Sequence, residues 1–136
     1  MANGNGDTKD KVKEILKRPV APPGHEQALQ KLREIAAGIQ ESLGEPFVVR
    51  LEPGYRVNLG QQFKLAIRLK DPEFSDFLFR AYVPPDGFPV TLDLFGDEHP
   101  ACADVAGLEA KLLEFLGKDE VVQRIDALRD LVASHE

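Results

Sequence analysis

With 136 residues, 43% of them hydrophobic and 29% charged, the chain has the size and balance of one globular domain with a real core. Its formal net charge of −6 argues against a general nucleic-acid binder, and its apolar runs fall far short of the ~20 residues of a membrane span. No apolar run after Met1 marks a signal peptide, and the single cysteine, Cys102, rules out an internal disulfide and fits a reducing cytoplasm.

Asn3-Gly4-Asn5-Gly6 places a flexible polar tail over residues 1–7, ahead of a single α+β domain over 8–136. Asp7 or Thr8 can cap a short helix that ends before Pro19 and carries Val12, Ile15 and Leu16 as its stripe. Three prolines between Pro19 and Gly24 make a stiff connector. A second helix follows over Glu26 to Leu43, with Leu29, Leu32, Ile35, Ala36, Ile39 and Leu43 at helical spacing and Gly44 as its stop.

The period then changes to two. Phe47, Val49 and Leu51 point one way, and Val48 and Arg50 the other. Glu52-Pro53-Gly54 reads as a turn, and Tyr55, Val57 and Leu59 as a further short strand. Two longer strands come next. Phe63, Leu65, Ile67 and Leu69 alternate with Lys64, Ala66, Arg68 and Lys70. Beyond Asp71-Pro72, Phe77, Phe79, Ala81 and Val83 alternate with Leu78, Arg80 and Tyr82. Pro84-Pro85-Asp86-Gly87 turns into a last strand, where Val90, Leu92 and Leu94 alternate with Thr91, Asp93 and Phe95. From Asp104 the helical period returns with Val105, Leu108, Leu112, Phe115 and Leu116. Gly117 closes that helix, Asp119 can cap the next, and Val121, Ile125, Leu128 and Val132 form its stripe.

Short links between strands imply an antiparallel meander of four to five strands. Two N-terminal and two C-terminal helices need an apolar surface to cover, and one face of the sheet supplies it. The expected architecture is therefore a two-layer α+β fold with the helices packed on one face.

Charge is unevenly spread. The net is 0 over residues 1–45, +2 over 46–83, and −4 in each of 84–103 and 104–136. Positive charge thus gathers on the predicted sheet. Arg50, Lys64, Arg68, Arg80, Tyr82 and Phe95 fall on its uncovered face, with Lys70 and Leu78. Cations among rings are typical of interface hot spots, so this face is the candidate partner-binding surface. The plainer alternative is an ordinary solvated sheet face, where Lys and Arg discourage edge pairing.

Other constellations are weaker. Asp97-Glu98-His99-Pro100-Ala101-Cys102, with Asp104 nearby, contains metal-ligand types, but a structural zinc site needs about four ligands in paired spacings. A Cys102–His99 nucleophile pair lacks an oxyanion hole and an orienting third group. His25 and His135 read as surface residues. Asn3 to Gly6 lacks the context of a phosphate loop. No catalytic residue, metal ligand or cofactor is assigned. The segment Tyr82 to Pro89 is a rigid aromatic turn that either docks a partner or folds Phe88 onto the core edge.

The leading expectation is a non-enzymatic cytoplasmic module that binds an acidic protein partner through the basic sheet face. The competing one is an enzyme or small-molecule binder with a pocket between sheet and helices, rimmed by residues 97–104. Third comes single-stranded nucleic acid held by basic groups and rings. Acidic helices meeting basic sheet across a two-fold axis could also support a homodimer.

Overall fold

The strict alternation from Phe63 to Leu69 makes β2 (Gly60–Leu69) the spine of a five-stranded antiparallel sheet. β1 (Val48–Val57) lies on one side of it, and β3 (Phe74–Val83), β4 (Val90–Asp93) and β5 (Ala101–Cys102) follow on the other in chain order. The expected two-layer α+β meander is the architecture of the molecule. It is seen in a computed structural model that describes residues 3–17, 23–70, 73–94 and 98–133.

The helical layer is built from α2 (Pro23–Leu43), α3 (Val105–Leu116) and α4 (Asp119–Ala133). Ala28, Leu29, Leu32, Ala36 and Ile39 of α2 bury their 3–4 spaced stripe. Leu108, Leu112 and Phe115 of α3 join them, with Val121 and Leu128 of α4. The facing sheet residues are Leu65, Ile67, Phe79, Ala81, Val83, Val90 and Leu92, all essentially inaccessible. Phe79 meets Phe115 edge to face, with centroids 6.0 Å apart, an orientation that suits their ring quadrupoles. Asp104 caps α3 by accepting from the Gly107 N–H at 2.7 Å. Asp119 lies in the first turn of α4 rather than at its cap; the Lys118 carbonyl accepts from Val121 and Val122 instead.

α1 (Asn3–Lys17) begins inside the segment expected as a tail. From Asp7 to Leu16 its side chains are all exposed. Val12, Ile15 and Leu16, its apolar stripe, are 49%, 62% and 77% exposed.

Two further local expectations are overturned. Glu52-Pro53-Gly54 is not a turn: β1 runs through it, with an irregular register between Pro53 and Arg56. Gln61 Nε2 donates to the Gly54 carbonyl at 2.6 Å and so satisfies a group that the distorted ladder leaves over. The chain reverses later, at Asn58-Leu59. Gly60 sits at φ +120°, and a Cβ there would stand 2.4 Å from the Val83 carbonyl, so only glycine fits.

The second correction concerns β3. Leu65 pairs with Phe79, but the next residue, Ala66, pairs with Phe77. Leu78 is the extra residue of a β-bulge, and it shifts the phase of everything before it. Leu78 is therefore in the core, 1% exposed, and not on the basic face. Phe77 opens onto the basic face and not into the core. Asp76, opposite Ile67, turns to the helix side, where Arg124 of α4 donates to its Oδ2 through Nε at 3.0 Å and also through Nη2.

α2 also reaches β1 through a side-chain amide. Gln40 Nε2 donates to the Phe47 carbonyl at 2.8 Å, and Gln40 Oε1 accepts from the Val49 N–H at 2.8 Å.

Candidate functional site

The open face of the sheet can be read row by row from the strand register. Glu52, Lys64, Arg80 and Asp93 form one row across β1, β2, β3 and β4. Two cations stand in its middle and a carboxylate at each end. The next row is Arg50, Ala66 and Phe77; beyond it come Val48, Arg68 and Ser75. On the other side of the charged row lie Gln62, Tyr82 and Thr91.

Phe77 is the centre of this surface. The Arg80 guanidinium lies 4.3 Å from its ring centroid, and Lys64 Nζ lies 5.9 Å from it. Both are within cation–π range. Across the ladder from this half-buried ring stands Ala66, which is 1% exposed although it lies outside the helix-side core cluster. The bulge thus places an aromatic ring at the middle of a cationic face.

Two of the five cations are neutralised from within. Arg68 holds Glu52 through two parallel bonds, Nε to Oε2 and Nη2 to Oε1, both 2.7 Å, and gives a third to Ser75 Oγ at 2.8 Å. These bonds hold the Glu52 carboxyl below its usual range, with Lys64 and Arg50 adding to the effect. Arg80 stands 3.6 Å from Asp93, which also lies 3.5 Å from His99 Nδ1. Among the described residues Arg50 and Lys64 have no ion-pair partner. Arg50, Arg68 and Lys70 line one shallow concavity with Val48, Pro46 and Glu73.

Of the residues expected on this face, Arg50, Lys64, Arg68, Arg80 and Tyr82 share it. Tyr82 OH accepts from Gln62 Nε2 at 3.3 Å. Phe95 lies outside the described residues. The alternation pattern missed Phe77, Glu52 and Asp93. The sign of the bulge was present, since Phe77-Leu78-Phe79 puts three large apolar residues in a row on a strand covered on one side only.

The loop before α3 arranges its polar groups differently. Asp97 lies outside the described residues. Glu98 binds Lys118 of the α3–α4 turn at 3.0 Å, which holds its carboxyl low. Cys102 is in the core, and burial pushes its thiol up, with Lys111 partly opposing. A thiol in that state is poorly placed to act as a nucleophile at neutral pH. Among the described residues no three or more His, Cys, Asp or Glu side chains gather as metal ligands would. No helix among them is long and apolar enough to cross a membrane.

Compared with known proteins, the chain matches no family model, no curated protein and no solved structure.

Proposed function

We propose that the chain is a cytoplasmic, non-enzymatic protein-interaction module whose open sheet face receives an acidic partner segment carrying an apolar side chain. The observation that carries this reading is the Phe77 ring beside Arg80 and Lys64, in one row with Arg50, on a face that no helix among the described residues covers. Five cations stand there against Glu52, Asp93 and Glu73, on a chain whose total charge is −6. An aromatic anchor beside Arg is the composition of an interface centre.

Glu52 and Asp93 give the mechanism its selectivity. They hold Arg68 and Arg80 in the free protein, so an incoming carboxylate must displace an internal one. A neutral apolar peptide gains nothing from Arg50 and Lys64, whereas an acidic one is steered toward them and then seats its apolar side chain on Phe77. The cost of displacement favours partners with several carboxylates over those with one.

The test compares wild type, Arg50→Glu/Lys64→Glu and Phe77→Ala as baits in native lysate, with captured proteins identified by mass spectrometry. The expected result is an acidic protein retained by wild type, lost with the charge reversal, weakened with Phe77→Ala, and eluted between about 50 and 200 mM salt. Identical captures with all three baits would overturn the reading. Capture of nucleic acid instead would move the function to single-strand binding.

A further inference from the structure

An exposed helix and an empty groove in the same chain fit each other. The groove runs between α2 and the α3–α4 pair, with a volume of about 460 Å³. Ile35, Gly38 and Ile39 of α2 line one side of it, and Leu116 and Ile125 the other. Leu113 and Val122 stand at its lip, 54% and 45% exposed. Its charged rim holds Glu34, Asp126 and Arg129, and Arg129 is folded back onto Asp126 and Ser42.

α1 has the complementary shape. Val12, Ile15 and Leu16 are the i, i+3, i+4 anchors by which a helix lies in an apolar groove. At about 100° per residue, Lys9, Lys11 and Lys13 flank that stripe, whereas Asp7, Asp10 and Glu14 fall on the far side. The apolar edge of α1 is therefore bordered by cations, and the groove's rim carries two exposed carboxylates, Glu34 and Asp126, in surface ion pairs with Lys31 and Arg129. A helix of 15 residues opening on Asn3-Gly4-Asn5-Gly6 is also marginal unless its stripe is buried.

Reach decides whose groove it is. Gly38 lies about 22 Å along α2 from Pro23 at 1.5 Å per residue. The six steps from Lys17 to Pro23 span at most about 20–22 Å when fully drawn out. Only a fully stretched connector would bring Leu16 to the middle of its own groove; a neighbouring copy imposes no stretch. We propose that the chain forms a symmetric dimer in which α1 of each copy seats Val12, Ile15 and Leu16 in the α2/α3/α4 groove of the other. This surface is separate from the basic sheet face, and the two stand or fall independently.

The test is the mass of the full chain in solution by light scattering at about 100 µM. Wild type is expected at twice 15.1 kDa. Ile15→Asp/Leu16→Asp alters only exposed side chains of α1. Gly38→Glu places a charged side chain on the α2 side of the groove, where no atom lies within 4 Å of the new Cβ, and replaces a helical glycine, so the fold is kept. Each variant alone is expected at 15.1 kDa. Mixed together they regain one intact contact, α1 of the Gly38→Glu copy in the groove of the other, so energy transfer between labelled variants appears only in the mixture. A wild-type monomer, whether or not α1 folds onto its own groove, overturns the proposal. So does a dimer that survives either variant, or a mixture that shows no transfer.

Discussion

On its helix side the sheet holds Phe79 against the edge of Phe115 and admits one carboxylate, Asp76, tied to Arg124. On its open side it holds the Phe77 ring among Arg80, Lys64, Glu52 and Asp93. Both exceptions come from the same extra residue. In a regular ladder, with Leu78 paired in turn, Phe77 would keep phase with Phe79 and face the helices, and Asp76 would face solvent. The bulge exchanges them. The bulge thus gives α4 a polar anchor on the core side and gives the outer face its aromatic centre. It also keeps the core filled, because Leu78 itself goes inward.

The comparison is broken most severely at the rings. Phe79→Ala is expected to cost about 3–5 kcal/mol in denaturant unfolding, through lost burial and an unfilled cavity against Phe115. The same truncation at Phe77 is expected to cost only about 1 kcal/mol, because a half-buried ring loses mainly its cation–π contacts. Equal costs would mean that Phe77 faces the core and that the bulge is absent in solution.

A middle-sized effect belongs to Asp76. Asp76→Ala removes a carboxylate that accepts from Arg124 and from the Phe77 N–H, and should cost about 1–2 kcal/mol. Arg124→Ala should cost a similar amount, and the double variant less than the sum, because both act on one contact. Strict additivity would place Asp76 out of reach of α4.

The smallest effect is a titration on the open face. Glu52 is held below its ordinary value of 4.5 by Arg68 first, then by Lys64 and Arg50. A depressed carboxylate stabilises the fold fully above its unfolded-state pKa. That contribution fades as pH falls from there through the lowered folded value, so it is lost in acid and not in alkali. Carbon-detected NMR should place the Glu52 midpoint below 4.5, and Arg68→Ala should move it up toward that value. A wild-type midpoint at the ordinary value would show that Arg68 is free for a partner and that Glu52 does not occupy it.

Much of this fold is legible in the residues. β2 alternates without interruption from Phe63 to Leu69, with Phe63, Leu65, Ile67 and Leu69 inward and Lys64, Ala66 and Arg68 outward. The stripes of α2 and α3, the Asp104 cap and the stop at Gly44 follow from spacing and cap chemistry; Gly44 adopts φ +73°, which its lack of a Cβ allows. The phase of β3 is not given by alternation, since a bulge keeps residues in order while turning them over. Pro53-Gly54 has turn chemistry but lies in a strand, because pairing with Phe63 and the Gln61 side chain hold it there. For the site, Arg50, Lys64, Arg68, Arg80 and Tyr82 share one surface as expected, Leu78 lies in the core instead, and Phe95 lies outside the described residues. Their internal neutralisation by Glu52 and Asp93 depends on which strands pair and in what register. A periodic pattern in one strand carries no such information. Similarly, the spacing of Val12, Ile15 and Leu16 shows that α1 has an apolar side but not what lies against it.

The Gln40 amide bears on how this protein can associate at all. β1 is an edge strand of ten residues, long enough to template another chain. Gln40 occupies the Phe47 carbonyl and the Val49 N–H as a neighbouring peptide would, and Pro53 offers no donor farther along. At the opposite edge β5 has only two residues. A stranger's strand finds little continuous backbone to grip at either border, and the route by which sheets add indiscriminately to one another is narrowed.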